Sequence, residues 1–369
     1  MSFKRLFSHA LEAAPGRLHF APHSHHLWPD ASFAGHTEAW HDAALLADHK
    51  WDRIFAEVIP EAQRHIAAEL MLPDPATIAF APNTHEFLVR IVSALPQACP
   101  RVLASDGEFH SFRRQSQRWS EAGRIALTTV PLGQLVAAAR MGGFDLIFVS
   151  QVQFNSGRTL EDLDALAALA TPAGPWVVID GYHGFMATPT DLAGVANQVF
   201  YTAGGYKYAM AGEGVCFLHA PPGYAPRPEM TGWYAAFESL SGPQDTVGYA
   251  TDGRRFLGST FDPSGLYRFN AVQRMLRAEG LTTAAISAHC DARKARFLAA
   301  DPVPQLDLIS EPQARFLALQ GAAAAKLHHA LTARHVVTDL RGDVLRIGFA
   351  LYHDDADVDA LVNVLPEVS

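Results

Sequence analysis

The chain has 369 residues, 49% of them hydrophobic and 18% charged, and at roughly 100–200 residues per domain this length predicts two or three domains. The net charge of −9 argues against nucleic acid or an anionic membrane as main partner, and three scattered cysteines are too few for a disulfide framework or a zinc site. No stretch approaches the roughly 20 apolar residues of a membrane span and the first residues lack a signal-peptide core, so we expect a cytoplasmic protein.

The first half of the chain alternates between helical and strand-like patterns. Apolar residues at helical spacing predict a long helical region over 38–72, which Pro73 ends. Short apolar runs follow at 76–80, 101–105, 145–150, 176–180, 198–202 and 215–218, with helix-like segments between them at 84–95, 108–122 and 159–170. Nearly continuous apolar strands that alternate with helices indicate an α/β fold with a mainly parallel sheet covered on both faces.

The second half begins with a Pro- and Gly-rich stretch at 221–265, after which a helix-like segment starts near residue 266. Further strands are predicted at 314–319, 335–338 and 344–351. We therefore predict an N-terminal segment over 1–37, a large α/β domain over 38–265 and a smaller α+β domain over 266–369.

Ligands of open parallel sheets bind at the carboxyl ends of the strands. The first run is followed by Asn83, Thr84 and His85 at the start of a helix, where free N–H groups and the helix dipole attract an anion. This turn is interpreted as a phosphate cradle, with a plain helix N-cap as the alternative. Asp180 ends the run at 176–180. A carboxylate there needs a cation or a strong donor, and a pyridinium nitrogen is suitable, although a helix cap or a structural ion pair also fits.

The chain contains five lysines, and among them only Lys207 lies in a glycine- and aromatic-rich turn after an apolar strand. Such surroundings lower the pKa of a lysine and make it an amine nucleophile toward an aldehyde. A structural lysine is the alternative reading of this residue alone. Together with Asp180 and the turn at 83–86, Lys207 predicts a Schiff base with pyridoxal 5'-phosphate (PLP).

Several motifs combine in one chain: Asp180-x-x-His183, Tyr206-Lys207 followed by Gly212-x-Gly214, and Leu345-Arg346-Ile347-Gly348. This set resembles the class V aminotransferase family of fold type I PLP-dependent enzymes. Within that family, the segments at 152–157 and 232–234 are most similar to those of kynureninases. The resemblance implies a large domain with a mainly parallel seven-stranded sheet, a smaller α+β C-terminal domain, and a homodimer with shared active sites.

The resemblance also implies a role for each matching residue. Lys207 would form the Schiff base and then move the Cα proton, Asp180 would pair with the pyridinium nitrogen, and His183 would lie near the ring oxygen. The phosphate would be held by Asn83, Thr84, the His85 backbone and Tyr206, and Phe109 would stack on the pyridine face. Trp233 and Thr260 would contact a partner subunit's cofactor. Arg346 would bind the substrate α-carboxylate. Core packing for Phe109, Trp233 and His183, and a surface ion pair for Arg346, are the alternatives.

A histidine-rich segment at 23–29 stands where kynureninases have small residues, in a region that borders the substrate in that family. His25 and His26 are therefore predicted to contact the substrate. The spacing of His19, His23, His25 and His26 fits no standard metal site, so no metal is expected.

The predicted function is that of a PLP-dependent enzyme that acts on an amino acid through an external aldimine, with kynureninase-like hydrolytic Cβ–Cγ cleavage as the first expectation. A class V transaminase, a β-lyase and an epimerase are the alternatives. A cysteine desulfurase is less favoured because Cys290 lies in a helix-like segment typical of a buried thiol. A catalytically silent PLP-fold binding protein has no chemical need for Lys207, Asp180 and Arg346 together, and a nucleotide-binding enzyme is disfavoured because no glycine-rich fingerprint is present.

Overall fold

The computed structural model describes residues 2–239, 242 and 246–365. The α-helices of these residues are α1 (Ser8–Glu12), α2 (Asp30–Leu46), α3 (Lys50–Arg53), α4 (Ile59–Glu69), α5 (Thr84–Ser93), α6 (His110–Glu121), α7 (Leu135–Arg140), α8 (Leu163–Ala167), α9 (Ser264–Ala278), α10 (Thr283–Ala299), α11 (Ala324–Ala333) and α12 (Asp355–Val364). None of these helices is long and apolar enough to cross a lipid bilayer.

The strands of the described residues are β1 (Leu18–His19), β2 (Ile78–Ala81), β3 (Arg101–Ser105), β4 (Ala126–Val130), β5 (Leu146–Ser150), β6 (Trp176–Asp180), β7 (Val199–Gly204), β8 (Cys216–His219), β9 (Asp307–Leu308), β10 (Phe316–Gln320), β11 (Val336–Val337), β12 (Asp339–Arg341) and β13 (Val344–Gly348). They form a seven-stranded sheet, a four-stranded sheet and a two-stranded pair.

The seven-stranded sheet has the order β2-β8-β7-β6-β5-β3-β4. Its strands are parallel except for β8, which runs antiparallel to both of its neighbours. The predicted α/β class with a mainly parallel seven-stranded sheet is therefore confirmed. The runs at 101–105 and 176–180 coincide with β3 and β6, and the other four lie within two residues of β2, β5, β7 and β8.

The apolar runs are continuous because the sheet is covered on both faces. Along β5, Leu146 and Phe148 pack into one hydrophobic cluster, whereas Ile147 and Val149 pack into the other. Helices α5 and α6 contribute to the first cluster, and α4 and α9 to the second. Strand β4 was not predicted, because this edge strand is half exposed and carries Thr128 and Thr129 in place of an apolar run.

The four-stranded sheet is antiparallel, with the order β12-β13-β10-β9. All four strands lie within the segment proposed as the smaller domain. The predicted strand at 344–351 ends at Gly348, and the one at 335–338 contributes only β11, which pairs in parallel with β1. The N-terminal segment is thereby joined to the C-terminal part of the chain.

The predicted helical region over 38–72 is confirmed as helical up to Glu69, but it starts earlier than predicted and consists of α-helices joined by short 3-10 and π-helical turns. Helix α2 begins at Asp30, after Pro29, and ends where Ala47 adopts a left-handed φ of 49°. Its buried residues include Ser32, Gly35 and Asp42, so the face that packs against α9 is small and polar. A search for apolar residues at helical spacing therefore cannot detect where this helix starts.

The close contact between α2 and α9 makes Gly35 sensitive to substitution. A Cβ at this position would lie 2.5 Å from the carbonyl oxygen of Tyr267 and 2.9 Å from Cβ of Ala271. We expect Gly35→Ala to lower the free energy of unfolding by about 2 kcal/mol, because overpacking outweighs the better helix propensity of alanine. Urea unfolding measures this change. Gly133→Ala, where nothing lies within 4 Å of the added Cβ, is the control, and an equal effect in both variants would contradict the packing argument.

Candidate active site

A cavity of about 260 Å³ lies at the carboxyl ends of β5 and β6, between the N-terminus of α5 and the turn that links β7 to β8. The predicted cofactor residues that line it are Asn83, Thr84, His85, Phe109, Asp180, His183, Tyr206 and Lys207. These residues come from four separate segments of the chain. The parallel sheet thus brings together the strand ends that were predicted to carry the ligand-binding residues.

Lys207 is buried in the turn after β7. This turn passes so close to β8 that a Cβ at Gly205 would collide with the side chain of Val215. The Nζ atom of Lys207 lies 2.9 Å from Nε2 of His183. It also lies 4.7 Å from the ring centre of Tyr182, 5.3 Å from that of Tyr206 and 5.4 Å from that of Phe109. The amine is therefore held among aromatic rings, as the composition of this segment suggested.

Burial lowers the pKa of Lys207 to about 7, against the opposing effect of the Asp180 carboxylate. A large fraction of the amine is therefore neutral near pH 7, which a nucleophilic lysine requires. Burial also raises the pKa of Asp180, whereas the backbone N–H of Tyr182 donates to its Oδ1 at 2.9 Å and, with the Lys207 charge, favours the carboxylate. The two groups thus stabilise each other's charged forms in a poorly solvated cavity.

His183 follows β6 by three residues and is buried beside Lys207. Burial and the Lys207 charge hold the pKa of this imidazole well below its usual range, so the ring is neutral. Its Nε2 faces the lysine amine, while its Nδ1 has no hydrogen-bond partner among the described residues. A buried polar atom of this kind lacks one contact that a bound molecule can supply.

Asn83 is the N-cap of α5, since its side chain accepts a hydrogen bond from the backbone N–H of Glu86 at 3.1 Å. The capping alternative for this turn is therefore correct for Asn83. Capping does not remove the turn from the cavity, because Thr84 and His85 line it as well. The positive end of the α5 dipole therefore faces the cavity, where an anion is favoured.

Phe109 lines the cavity, and the residue before it in the chain, Glu108, has a buried carboxyl group. The neighbouring Glu108 accepts hydrogen bonds at its Oε1 from the Ser105 hydroxyl at 2.5 Å and the Ser150 backbone at 3.0 Å, and at its Oε2 from the Ser150 hydroxyl at 2.5 Å. Ser105 and Ser150 are the last residues of β3 and β5. Glu108 thus ties the loop that carries Phe109 to two strand ends.

Arg346 lies on β13 and is held by hydrogen bonds to Asp339 and Phe154. Its Nε donates to Oδ2 of Asp339 at 2.7 Å, its Nη2 donates to the same oxygen, and its Nη1 donates to the Phe154 carbonyl. The guanidinium is buried and lies over the rings of Phe154 and Phe316. Since Phe154 lines the cavity, Arg346 lies directly behind the cavity wall.

Besides Arg346, four other predicted site residues do not line this cavity. His25 is exposed and stacks on Tyr206 at 5.0 Å, whereas His26 is buried between Phe7 and Tyr352. Trp233 is 44% exposed and stacks on Tyr234, while Thr260 is exposed. The contacts of Trp233 and Thr260 with a partner subunit's cofactor stay predictions, as does the homodimer.

Several residues of the site were not predicted from the sequence. Tyr182 and Cys216 line the cavity, and the Tyr182 hydroxyl lies 3.4 Å from the Cys216 thiol. Tyr182 directly follows Gly181 at the end of β6 and was identifiable from that position. Cys216 was not, because it belongs to the antiparallel strand β8, which presents its first residue to the cavity. Among the described residues no group of His, Cys, Asp and Glu side chains is arranged to hold a metal ion.

The fold of this chain is similar to the folds of solved PLP-dependent enzymes. The cystine C–S lyase C-DES in complex with its product cysteine persulfide has a TM-score of 0.82 at 17% identity, covering 97% of this chain and 100% of that chain. A C-DES mutant with glycine covalently linked to the PLP cofactor also has a TM-score of 0.82, at 16% identity, covering 98% of this chain and 99% of that chain. The chain has fold type I.

A cysteine desulfurase, CsdA from Escherichia coli, has a TM-score of 0.80 at 17% identity, covering 99% of this chain and 97% of that chain. No protein-family model matches the sequence. Among curated proteins, isopenicillin N epimerase from Streptomyces clavuligerus is 30% identical over 212 residues, which cover 54% of this chain and 53% of the epimerase. The match thus spans about half the length of that relative.

Burial raises the pKa of Glu108 to about 7. Because the unfolded chain releases this proton near pH 4.5, the wild-type protein loses stability as the pH rises from about 4.5 to 7. We expect Glu108→Gln, which removes the charge and replaces one accepting oxygen with an NH2 donor to a serine hydroxyl, to gain up to about 3 kcal/mol relative to wild type between pH 5 and pH 8. Urea unfolding at both pH values measures the difference.

The exposed Glu121→Gln on α6 is the control, and we expect it to change stability by no more than about 0.5 kcal/mol. If the stability of Glu108→Gln relative to wild type is the same at pH 5 and pH 8, Glu108 is ionised in the folded protein at both pH values and the argument fails.

Proposed function

We propose that this protein is a PLP-dependent enzyme that acts on an amino acid. The observation that carries the proposal is the buried Lys207 amine, which lies 2.9 Å from His183 and has a pKa near 7 in a cavity shared with Asp180. The cavity supplies the three contacts that PLP needs, namely an amine for the aldehyde, a carboxylate for the ring nitrogen and a helix N-terminus for the phosphate. The fold type I neighbours support the same conclusion.

PLP, when bound, acts as an electron sink for the Cα of the amino acid joined to it. Asp180 would hold the proton on the ring nitrogen, and the His183 ring would donate or accept at the ring oxygen. Lys207 would bind the aldehyde carbon and afterwards take and return the proton at the substrate Cα, a task that suits a neutral amine. Phe109 would cover the ring face and exclude water.

Arg346 would orient the amino acid by its α-carboxylate. The guanidinium lies behind Phe154, and Asp339 holds it in place through two of its nitrogen atoms. An amino acid bound between Arg346 and Lys207 would present its Cα to the amine, because both side chains are fixed by buried partners. A silent binding protein has no use for a lysine of lowered pKa in this arrangement, so this alternative is disfavoured.

The reaction itself is a finer proposal. Kynureninase-like Cβ–Cγ cleavage is supported by short segments such as 152–157, whereas epimerisation is supported by the 30% identity to isopenicillin N epimerase over 212 residues. A desulfurase that transfers sulfur to its own thiol is disfavoured at Cys290, which is buried and bonded to Arg315 at 3.4 Å. We therefore propose proton transfer at Cα as the step common to the remaining candidates. Kynureninase-like cleavage is the first candidate reaction and epimerisation is the second.

Lys207→Ala tests the cofactor proposal directly. We expect wild-type protein with added PLP to show a visible absorption band, and borohydride reduction to attach the cofactor to the peptide that contains Lys207. The variant should show neither, because it lacks the amine. The rate of PLP capture by the apoprotein should rise as the pH passes about 7, since only the neutral amine reacts.

Lys326→Ala, which removes an exposed lysine from α11, is the matched control and should behave as wild type. A wild-type protein that stays colourless with PLP, or a cofactor attached to another lysine, would overturn the proposal.

A substrate panel separates the candidate reactions. We expect the PLP-loaded protein in D2O to exchange the Cα hydrogen of at least one L-amino acid, measured by mass spectrometry, and Lys207→Ala to reduce this rate at least about a hundredfold. Appearance of the D-isomer indicates an epimerase, release of cysteine persulfide, pyruvate and ammonia from L-cystine a lyase, and release of alanine from L-kynurenine a kynureninase. Exchange that persists unchanged in Lys207→Ala would contradict the role of the lysine.

A further inference from the structure

His23 is a buried histidine that the proposed function does not use. It follows β1 in the segment 20–29, and its side chain is fully buried. The ring stacks on Phe316 with 4.9 Å between ring centres. Neither ring nitrogen has a hydrogen-bond partner among the described residues. Burying a donor and an acceptor without partners is costly, so this ring lacks contacts that its surroundings must supply in the working protein.

The ring of Phe316 connects His23 to the proposed site. His183 contacts the same ring at 5.6 Å, and the guanidinium carbon of Arg346 lies 5.4 Å from its centre. His23, His183 and the arginine proposed to bind the substrate carboxylate therefore all contact the same aromatic ring. Burial together with the charges of Arg346 and Lys207 holds the pKa of His23 well below its usual range, so the ring is neutral.

Arg346 alone cannot satisfy a buried carboxylate. Three of its five N–H groups are already engaged, by Asp339 through Nε and Nη2 and by the Phe154 carbonyl through Nη1. At most two remain for a ligand. A carboxylate accepts up to about four hydrogen bonds and is costly to bury with fewer. A further donor beside Arg346 is therefore required where water is excluded.

We propose that His23 is this donor, and that it binds the α-carboxylate of the amino-acid substrate together with Arg346. Its Nδ1 faces the backbone of β13 so closely that a Cβ at Gly348 would collide with it, which leaves Nε2 as the donating atom. A neutral imidazole adds a hydrogen bond without another positive charge near Arg346 and Lys207. The inference rests on the proposed function, since it adds a substrate-binding residue to the same site.

The test compares three probes that differ at one group: L-alanine, L-alaninamide and ethylamine. Dissociation constants are measured on PLP-loaded protein by the change in visible absorption, for wild type, His23→Phe and His23→Gln. Phenylalanine keeps the stack on Phe316 but removes both nitrogens, whereas glutamine keeps a donor. We expect His23→Phe to weaken L-alanine binding about tenfold, with ethylamine binding, PLP content and Tm unchanged.

His23→Gln should recover most of the lost preference for L-alanine over ethylamine, and L-alaninamide should respond less than L-alanine to His23→Phe. The control is His65→Phe, which replaces a buried histidine that packs on Phe269 away from the cavity, and it should keep the wild-type preference.

The remaining outcomes would overturn either the role of His23 or the proposed function. Equal weakening of all three probes by His23→Phe means a structural role and overturns the inference, as does an unchanged preference for L-alanine. Wild-type protein that binds PLP but prefers L-alanine no more than ethylamine also overturns it, while the cofactor proposal stands. Wild-type protein that does not bind PLP overturns the proposed function first.

Discussion

The hydrogen bond between Nζ of Lys207 and Nε2 of His183 is the contact on which the site depends. It joins the turn after β7 to the loop after β6, and the parallel register that pairs Asp180 with Thr202 sets the distance between those two segments. Burial of both groups lowers their pKa values, so that the imidazole is neutral and the pKa of the amine is about 7. A lysine in water would be charged and unreactive at the same pH.

The two sheets contribute different chemistry to one cavity. The parallel sheet supplies Asp180, Lys207 and the α5 N-terminus, which suit a planar cofactor with an anionic group. The antiparallel sheet supplies Arg346, whose charge is matched by Asp339 on the neighbouring strand β12. Phe316 on β10 carries the contacts between Arg346, His183 and His23. The place where the sheets meet is therefore where a cofactor and an amino acid would meet.

Apolar strands and their ends were predictable because a doubly covered sheet requires continuous apolar runs, as in β5 and β6. Helices and strands that need no continuous apolar run were not predicted, or were predicted with wrong bounds. Strand β4 is an exposed edge, and α2 packs through Ser32, Gly35 and Asp42, so neither shows an apolar period. The same limit applies to Cys216 and Glu108, which matter through contacts with residues far away in the chain.

The sequence by itself determined the chemical types at the strand ends: a lysine in a glycine-rich turn, an aspartate after an apolar run, and a helix start that favours an anion. Only the tertiary structure decided which neighbours act on them. It buries His23 beside Phe316 while His25 stays at the surface, and it engages most of Arg346 with Asp339 and Phe154. The physical reason is that burial and partner distance determine pKa and hydrogen bonding, and both depend on how separate segments of the chain pack, as Arg346 does against Phe154.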